Sequence, residues 1–183
     1  MNHSPVGEYV TLQRDVDAIL IPEGHQVFLQ TGTDVRITQA LGGSYTVEVQ
    51  GNLVMISSED ADSLGYESKD LISPIIQDKN LSNEDKIWAV LKQCYDPEIP
   101  VNIVDLGLIY EVSCLQQDDG LHGYITMTLT APACGMGPFI VEEIRRLASR
   151  IEVVESVNVE IVFDPPWGQD KMSEVAKLKL GLL

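Results

Sequence analysis

The chain has 183 residues, enough for one domain or two small ones, and sets 12 Lys+Arg against 28 Asp+Glu for a formal charge of −16. Such a surface repels phosphate backbones and anionic lipid, because neutralising phosphate takes clustered Lys and Arg. The basic residues are scattered, with one adjacent pair, Arg145-Arg146, so nucleic acid and membrane are excluded as main partners. No basic stretch followed by an apolar run opens the chain, and no apolar segment approaches the ~20 residues that span a bilayer. Three cysteines, an odd number, do not make a secreted disulfide framework, so a reducing, cytoplasmic setting is expected.

Six short β-branched or apolar runs come first: Tyr9–Leu12, Ala18–Ile21, Val27–Leu29, Val35–Thr38, Tyr45–Val49 and Leu53–Ile56. Turn signals separate them, among them Pro22-Glu23-Gly24, Gly42-Gly43 and Gly51-Asn52. Closely spaced strands of this kind predict a small all-β barrel or sandwich over residues 1–65. Of its two histidines, His3 and His25, the latter stands beside a turn, and neither carries a functional signal. Residues 66–81 have poor periodicity and read as a linker.

Ser82 with Asp85 three residues on has capping-box spacing, and Ile87, Val90, Leu91 and Cys94 give the following helix one apolar face. Asp96-Pro97-Glu98-Ile99-Pro100 then breaks the helix. Leu108–Cys114 and Tyr124–Thr130 alternate as strands, joined through the polar stretch 116–123. Pro138 opens a second helix with the stripe Ile140, Ile144, Leu147, Ala148 and Ile151. Val157, Val159, Ile161 and Phe163 predict a third strand, and Ser173–Leu180 a last helix stopped by Gly181. The predicted class is α+β, with the all-β part followed over 82–183 by a two-layer α-β-β-α-β-α domain.

The chemistry centres on Cys134. Cys94 shares an apolar helix face and Cys114 is in phase with Leu108 and Val112, so both are expected to pack as small hydrophobes. Cys134 instead lies in Ala131-Pro132-Ala133-Cys134-Gly135-Met136-Gly137-Pro138, between a strand's end and a helix start. Unpaired N–H groups and the helix dipole there favour a thiolate, the form that ligates metals and attacks electrophiles. Gly135 and Gly137 remove bulk beside it. Asp96, Glu98 and Asp105 fall in irregular backbone before the first strand of this domain, where they either cap turns or orient a ligand. Trp167, between Pro166 and Gly168, is a rigid aromatic that either lids the site or packs its edge.

Asp96-Pro97-Glu98, Asp105-Leu106-Gly107-Leu108-Ile109-Tyr110, Thr126-Met127-Thr128-Leu129-Thr130 with Cys134 four beyond, and Asp164-Pro165-Pro166-Trp167 resemble the small domain shared by PaaD and the SufT-type iron–sulfur assembly factors. The region of Gly42-Gly43-Ser44-Tyr45 and Gly51-Asn52-Leu53-Val54 is similar to the N-terminal extension of SufT proteins. Ala133 is a local departure, since many relatives carry Gly there. The resemblance implies a non-enzymatic accessory factor in iron–sulfur cluster maturation. Cys134 would be its iron or cluster ligand, Asp105 and Glu98 would stand beside it, and Asp96, Thr130, Gly135, Gly137 and Trp167 would support it. The implied partners are carrier or scaffold proteins and client apoproteins. A stored cluster takes four ligands, mostly thiolates, whereas one chain offers a single well-placed thiolate. Any cluster is therefore expected to be transient, completed by a homodimer partner, a carrier or client, or by carboxylates or small thiols.

Two other readings compete. A cysteine-nucleophile enzyme needs a base near Cys134, yet His122 falls at the opposite end of the strand leading to it. A Cys-x5-Arg loop fails because Ile140 occupies the arginine position, and no Cys-x-x-Cys occurs. An adaptor that joins proteins of the same pathway without binding metal is the main alternative.

Overall fold

The computed structural model describes residues 4–132 and 134–182, so Ala133 lies outside the described residues. The chain divides into two compact units, Met1–Leu71 with Pro97–Pro100, and Ile72–Asp96 with Val101–Leu183.

In the first unit all six expected strands form: β1 (Tyr9–Thr11), β2 (Val16–Ile21), β3 (Gln26–Leu29), β4 (Asp34–Leu41), β5 (Ser44–Val49) and β6 (Asn52–Ile56). They pair antiparallel in one sheet of order β1-β4-β5-β6-β2-β3. The expected barrel or sandwich is thus a single sheet, with no β1–β3 ladder among the described residues. Alternation sets its core face. Val35 and Ile37 of β4 are buried while Asp34 and Arg36 are exposed, and Leu12, Val47, Val54 and Ile56 join them. The β4–β5 and β5–β6 links are two-residue turns. Gly42 and Gly43 have φ of 61° and 86°, Gln50 and Gly51 of 51° and 80°, the left-handed pair a tight hairpin needs.

A 3₁₀ helix over Ser58–Leu64 departs from the strands-only expectation. Ser57 caps it by accepting the Glu59 N–H, and Gly65 ends it at φ 82°. Arg14 grips it through Asp60 and Asp62 at 2.8 and 2.5 Å.

The second unit opens with α1 (Ser73–Gln77), inside the stretch expected to be a linker. Burial of Ile72 and a bond from Arg150 Nη2 to Ser73 Oγ at 3.0 Å fix it there. There follow α2 (Asn83–Leu91) with its capping box intact, β7 (Ile109–Gln117), β8 (Gly120–Met127), α3 (Gly137–Ala148), β9 (Val154–Ile161) and α4 (Glu174–Lys179). β8 pairs antiparallel with β7 and parallel with β9, so β8-α3-β9 is a crossover unit. α2 and α3 pack against each other and against the sheet. Ile87 and Leu91 of α2, with Ile140, Ile144 and Ala148 of α3, are almost wholly buried. A Cβ on Gly123 would meet Ile87, Val154 and Val157.

The β7–β8 strands run further than alternation indicated, leaving Asp118-Asp119 as the turn. His122 is accordingly a buried strand residue rather than a loop residue. Phe163, by contrast, falls beyond β9 and is exposed. Pro97–Pro100 is grouped with the first unit, where Thr46 Oγ1 donates to Pro97 O at 3.3 Å.

Candidate functional site at one end of the three-stranded sheet

Strand direction places the motif segments. Ile109, the first residue of β7, pairs with Met127, the last of β8, and Met127 pairs with Ile161, the last of β9. The loop entering β7 carries Asp105, the loop leaving β8 carries Cys134, and the loop leaving β9 carries Asp164-Pro165-Pro166-Trp167. All three segments therefore share one end of the sheet, the end where β8 and β9 finish. Loops at such carboxyl ends are where open α/β sheets build their sites.

The Asp105 loop is tied on several sides. Asn102 Nδ2 donates to Asp105 Oδ2 at 2.7 Å, and the Asp105 N–H donates to Asn102 Oδ1 at 2.8 Å. Asp105 O accepts the Ser173 N–H at 2.9 Å. The Trp167 indole N–H donates to Leu106 O at 2.9 Å, and the Tyr110 hydroxyl to Pro165 O at 2.8 Å. The Lys171 ammonium stands 4.7 Å from the Tyr110 ring centroid. Trp167, half-buried, is thus a strut between two of the converging loops. Gly107 is needed where it stands: its φ is 74°, and a Cβ there would overlap the Lys171 carbonyl. Burial, and after it the charge of Asp105, raises the Tyr95 phenol above its ordinary range.

The Cys134 segment is a tight turn before α3. The Cys134 N–H donates to Ala131 O at 3.1 Å, and the Gly137 N–H to Cys134 O at 3.2 Å. Met136 beneath is buried, Gly135 is exposed, and the Cys134 side chain is half-buried. The tight approach at Gly137 is to Leu129, whose Cδ1 would lie 2.7 Å from an added Cβ. Thr130 is half-buried between β8 and this turn. Thr128 is wholly buried, and its Oγ1 finds no hydrogen-bond partner among the described residues.

Of the other two cysteines, Cys94 packs in the core as expected, whereas Cys114 is only half-buried, as Cys134 is. Cys94 is buried, which drives its thiol far above the ordinary range, with Glu143 adding to the effect. Cys114 is half-buried, and burial followed by Glu84 raises its thiol too. Asp96 is buried. Glu98 is exposed and belongs with the first unit, where it lines a cleft of about 630 Å³ with Leu41, Leu53, Pro97 and Pro100. The second unit's own geometry gathers Asp105, Trp167 and the Cys134 turn at one sheet end; Glu98 is not among them. His122 is held by Ser156 Oγ and Asp119 Oδ1, each at 2.8 Å. It lies on the half of β8 remote from Met127. Among the described residues, no three His, Cys, Asp or Glu side chains are gathered so as to hold a metal ion.

Asn102 and Lys171 carry no part of the sequence motifs, and Tyr110 enters there only as a motif residue with no role. Asn102 had a signal: Asn-x-x-Asp has the spacing recognised at Ser82 and Asp85. The Lys171 contact is long-range and had none.

The family described as iron-sulfur cluster assembly protein matches residues 84–161. An "Fe-S protein maturation auxiliary factor" of Porphyromonas gingivalis is 46% identical over 105 residues, which are 56% of this chain and 95% of that protein. The "Fe-S protein maturation auxiliary factor SufT" of Staphylococcus aureus is 40% identical over 87 residues, 48% of this chain and 96% of that one. Among solved structures, a domain of unknown function (DUF59) from Bacillus anthracis superposes with a TM-score of 0.50 at 35% identity, over 55% of this chain and 93% of that chain. With loops, spacing and relatives in agreement, this chain belongs to the iron–sulfur cluster assembly protein family.

Proposed function

We infer that this protein is an accessory factor in the maturation of iron–sulfur proteins, and that it handles its cargo at the loop end of the three-stranded sheet. Cys134 is the thiolate donor in this reading and Asp105 the carboxylate on the neighbouring loop. Trp167, Thr130, Gly135 and Gly137 shape the surroundings. The observation that carries the reading is the convergence of the three motif segments on one sheet end in a chain of this family.

The cluster is cargo here, not a resident group. A cluster asks for about four ligands, mostly thiolate. With no three-ligand group among the described residues, the remaining donors come from a carrier, a client or a second copy. Partners are then proteins of the same pathway, met in a reducing compartment. Glu98 and its cleft offer a surface for such a partner, and Asp96, being buried, serves the turn.

The test is anaerobic reconstitution of the full chain with iron and sulfide, alone and with an apo-client, followed by visible absorption. A cluster chromophore that appears with wild type and is lost in Cys134→Ser is the expected result. The absent three-ligand group also favours a second reading, an adaptor that joins carrier to client without touching iron. A colourless protein that still restores client activity as Cys134→Ser would select it.

A further inference from the structure

We propose that Asn102 is the positioning residue for Asp105, holding that carboxylate in one orientation at the loop end of the sheet. The proposal rests on the reading of Asp105 as a site residue. Asn102 is buried, and both ends of its side-chain amide and its carbonyl are engaged with this loop. Its Oδ1 accepts the Asp105 N–H at 2.8 Å, its Nδ2 donates to Asp105 Oδ2 at 2.7 Å, and its carbonyl accepts the Leu106 N–H at 3.0 Å. A bridge to Tyr95 anchors its backbone from the other side.

The same reciprocal pattern occurs at Ser82 and Asp85, where Ser82 Oγ accepts the Asp85 N–H at 3.1 Å and donates to Asp85 Oδ2 at 2.6 Å. There it starts the nine-residue α2. After Asn102 no helix follows, since the chain makes one turn and enters β7. Here the side-chain pair closes a single turn instead of starting a helix. Its effect is on the carboxylate itself: Oδ2 is committed to the amide, which restrains rotation of the carboxylate and leaves Oδ1 outside that bond. Asp105 is also held through its carbonyl by Ser173, so backbone and side chain are both fixed before any cargo arrives.

The experiment uses the full chain in cells lacking the protein, reading the activity of a cluster-dependent client beside the purified variants' Tm. Asn102→Asp keeps an acceptor for the turn and removes the donor to Asp105. Asn102→Ala removes both bonds without adding charge, and its cap loss should lower Tm by only about 5 °C. Client activity should fall about tenfold in each, the usual scale for residues that orient a ligand. Asn102→Ser should restore most of it, because Ser82 makes both bonds in this same chain. Combining Asn102→Ala with Asp105→Ala should be no worse than Asp105→Ala alone, since one residue acts through the other. Full complementation by folded Asn102→Ala alongside loss in Asp105→Ala overturns the positioning role and leaves the site reading standing. So does a double variant in which the two losses multiply. Full complementation by Asp105→Ala overturns the place of Asp105 in the site and the positioning role with it.

Discussion

Three cysteines in one chain provide an internal comparison of what environment does to a thiol. Cys94 is 3% exposed, and burial holds its thiol protonated far above the ordinary range. Cys114 is half-buried with burial and Glu84 acting in the same direction. Cys134 stands in a turn beside the exposed Gly135. Reactivity follows thiolate fraction and access, so iodoacetamide should label Cys134 first, Cys114 more slowly and Cys94 only on unfolding. Mass spectrometry of timed aliquots checks this, and equal native rates for the three would contradict it. Tyr66 gives a second residue-scale prediction. Burial and its hydrogen bond to Glu8 push its phenol up to about 12. A folded pKa above the unfolded value of about 10 means stability that is whole below pH 10 and lost as pH rises toward 12. Tyr66→Phe should flatten that alkaline loss, as read by Tm between pH 9 and about 12.

At the scale of elements, the strands and long helices were legible because alternation and a 3.6-residue stripe are local signals. Ile140, Ile144, Leu147 and Ala148 predicted the buried face of α3, and all four are buried. The polar stretch Gln116–Gly123 reads locally as a connection, yet β7 and β8 continue through it, held by their ladder, by β9 and by burial of His122. The grouping of Pro97–Pro100 with the first unit depends on contacts such as Thr46 to Pro97, 51 residues apart, and no local pattern encodes it. Of the candidate site, the loop positions of Cys134 and Asp105 were legible, whereas the segment of Lys171 and Ser173 that straps the Asp105 loop was not. Lys171 and Ser173 reach it from some 66 to 68 positions away. That strap yields a prediction. Gly107→Ala forces a left-handed φ on a residue with a Cβ and drives it into the Lys171 carbonyl, at a cost of about 2 kcal/mol or more. Tm should fall accordingly, and the Trp167 fluorescence environment should change with it. An unchanged Tm would show that the strap is not packed against Gly107.

At the scale of the whole molecule, the chain carries a formal charge of −16 and belongs to the iron–sulfur cluster assembly protein family. No helix among the described residues is long and apolar enough to cross a membrane. The central claim, that a thiolate at one sheet end is what this chain contributes to iron–sulfur maturation, turns on one substitution. Cys134→Ser replaces a half-buried sulfur with oxygen in a turn, so stability should change by less than about 1 kcal/mol. A serine hydroxyl remains protonated at neutral pH and is a poor iron ligand. Cys94→Ser is the control, since it places a hydroxyl in an apolar interior and should cost about 1–3 kcal/mol. The decisive measurement is client-enzyme activity in cells complemented with Cys134→Ser, read against the Tm of the purified variant. Lost client activity at an unchanged Tm is the predicted result; client activity equal to wild type would contradict the account.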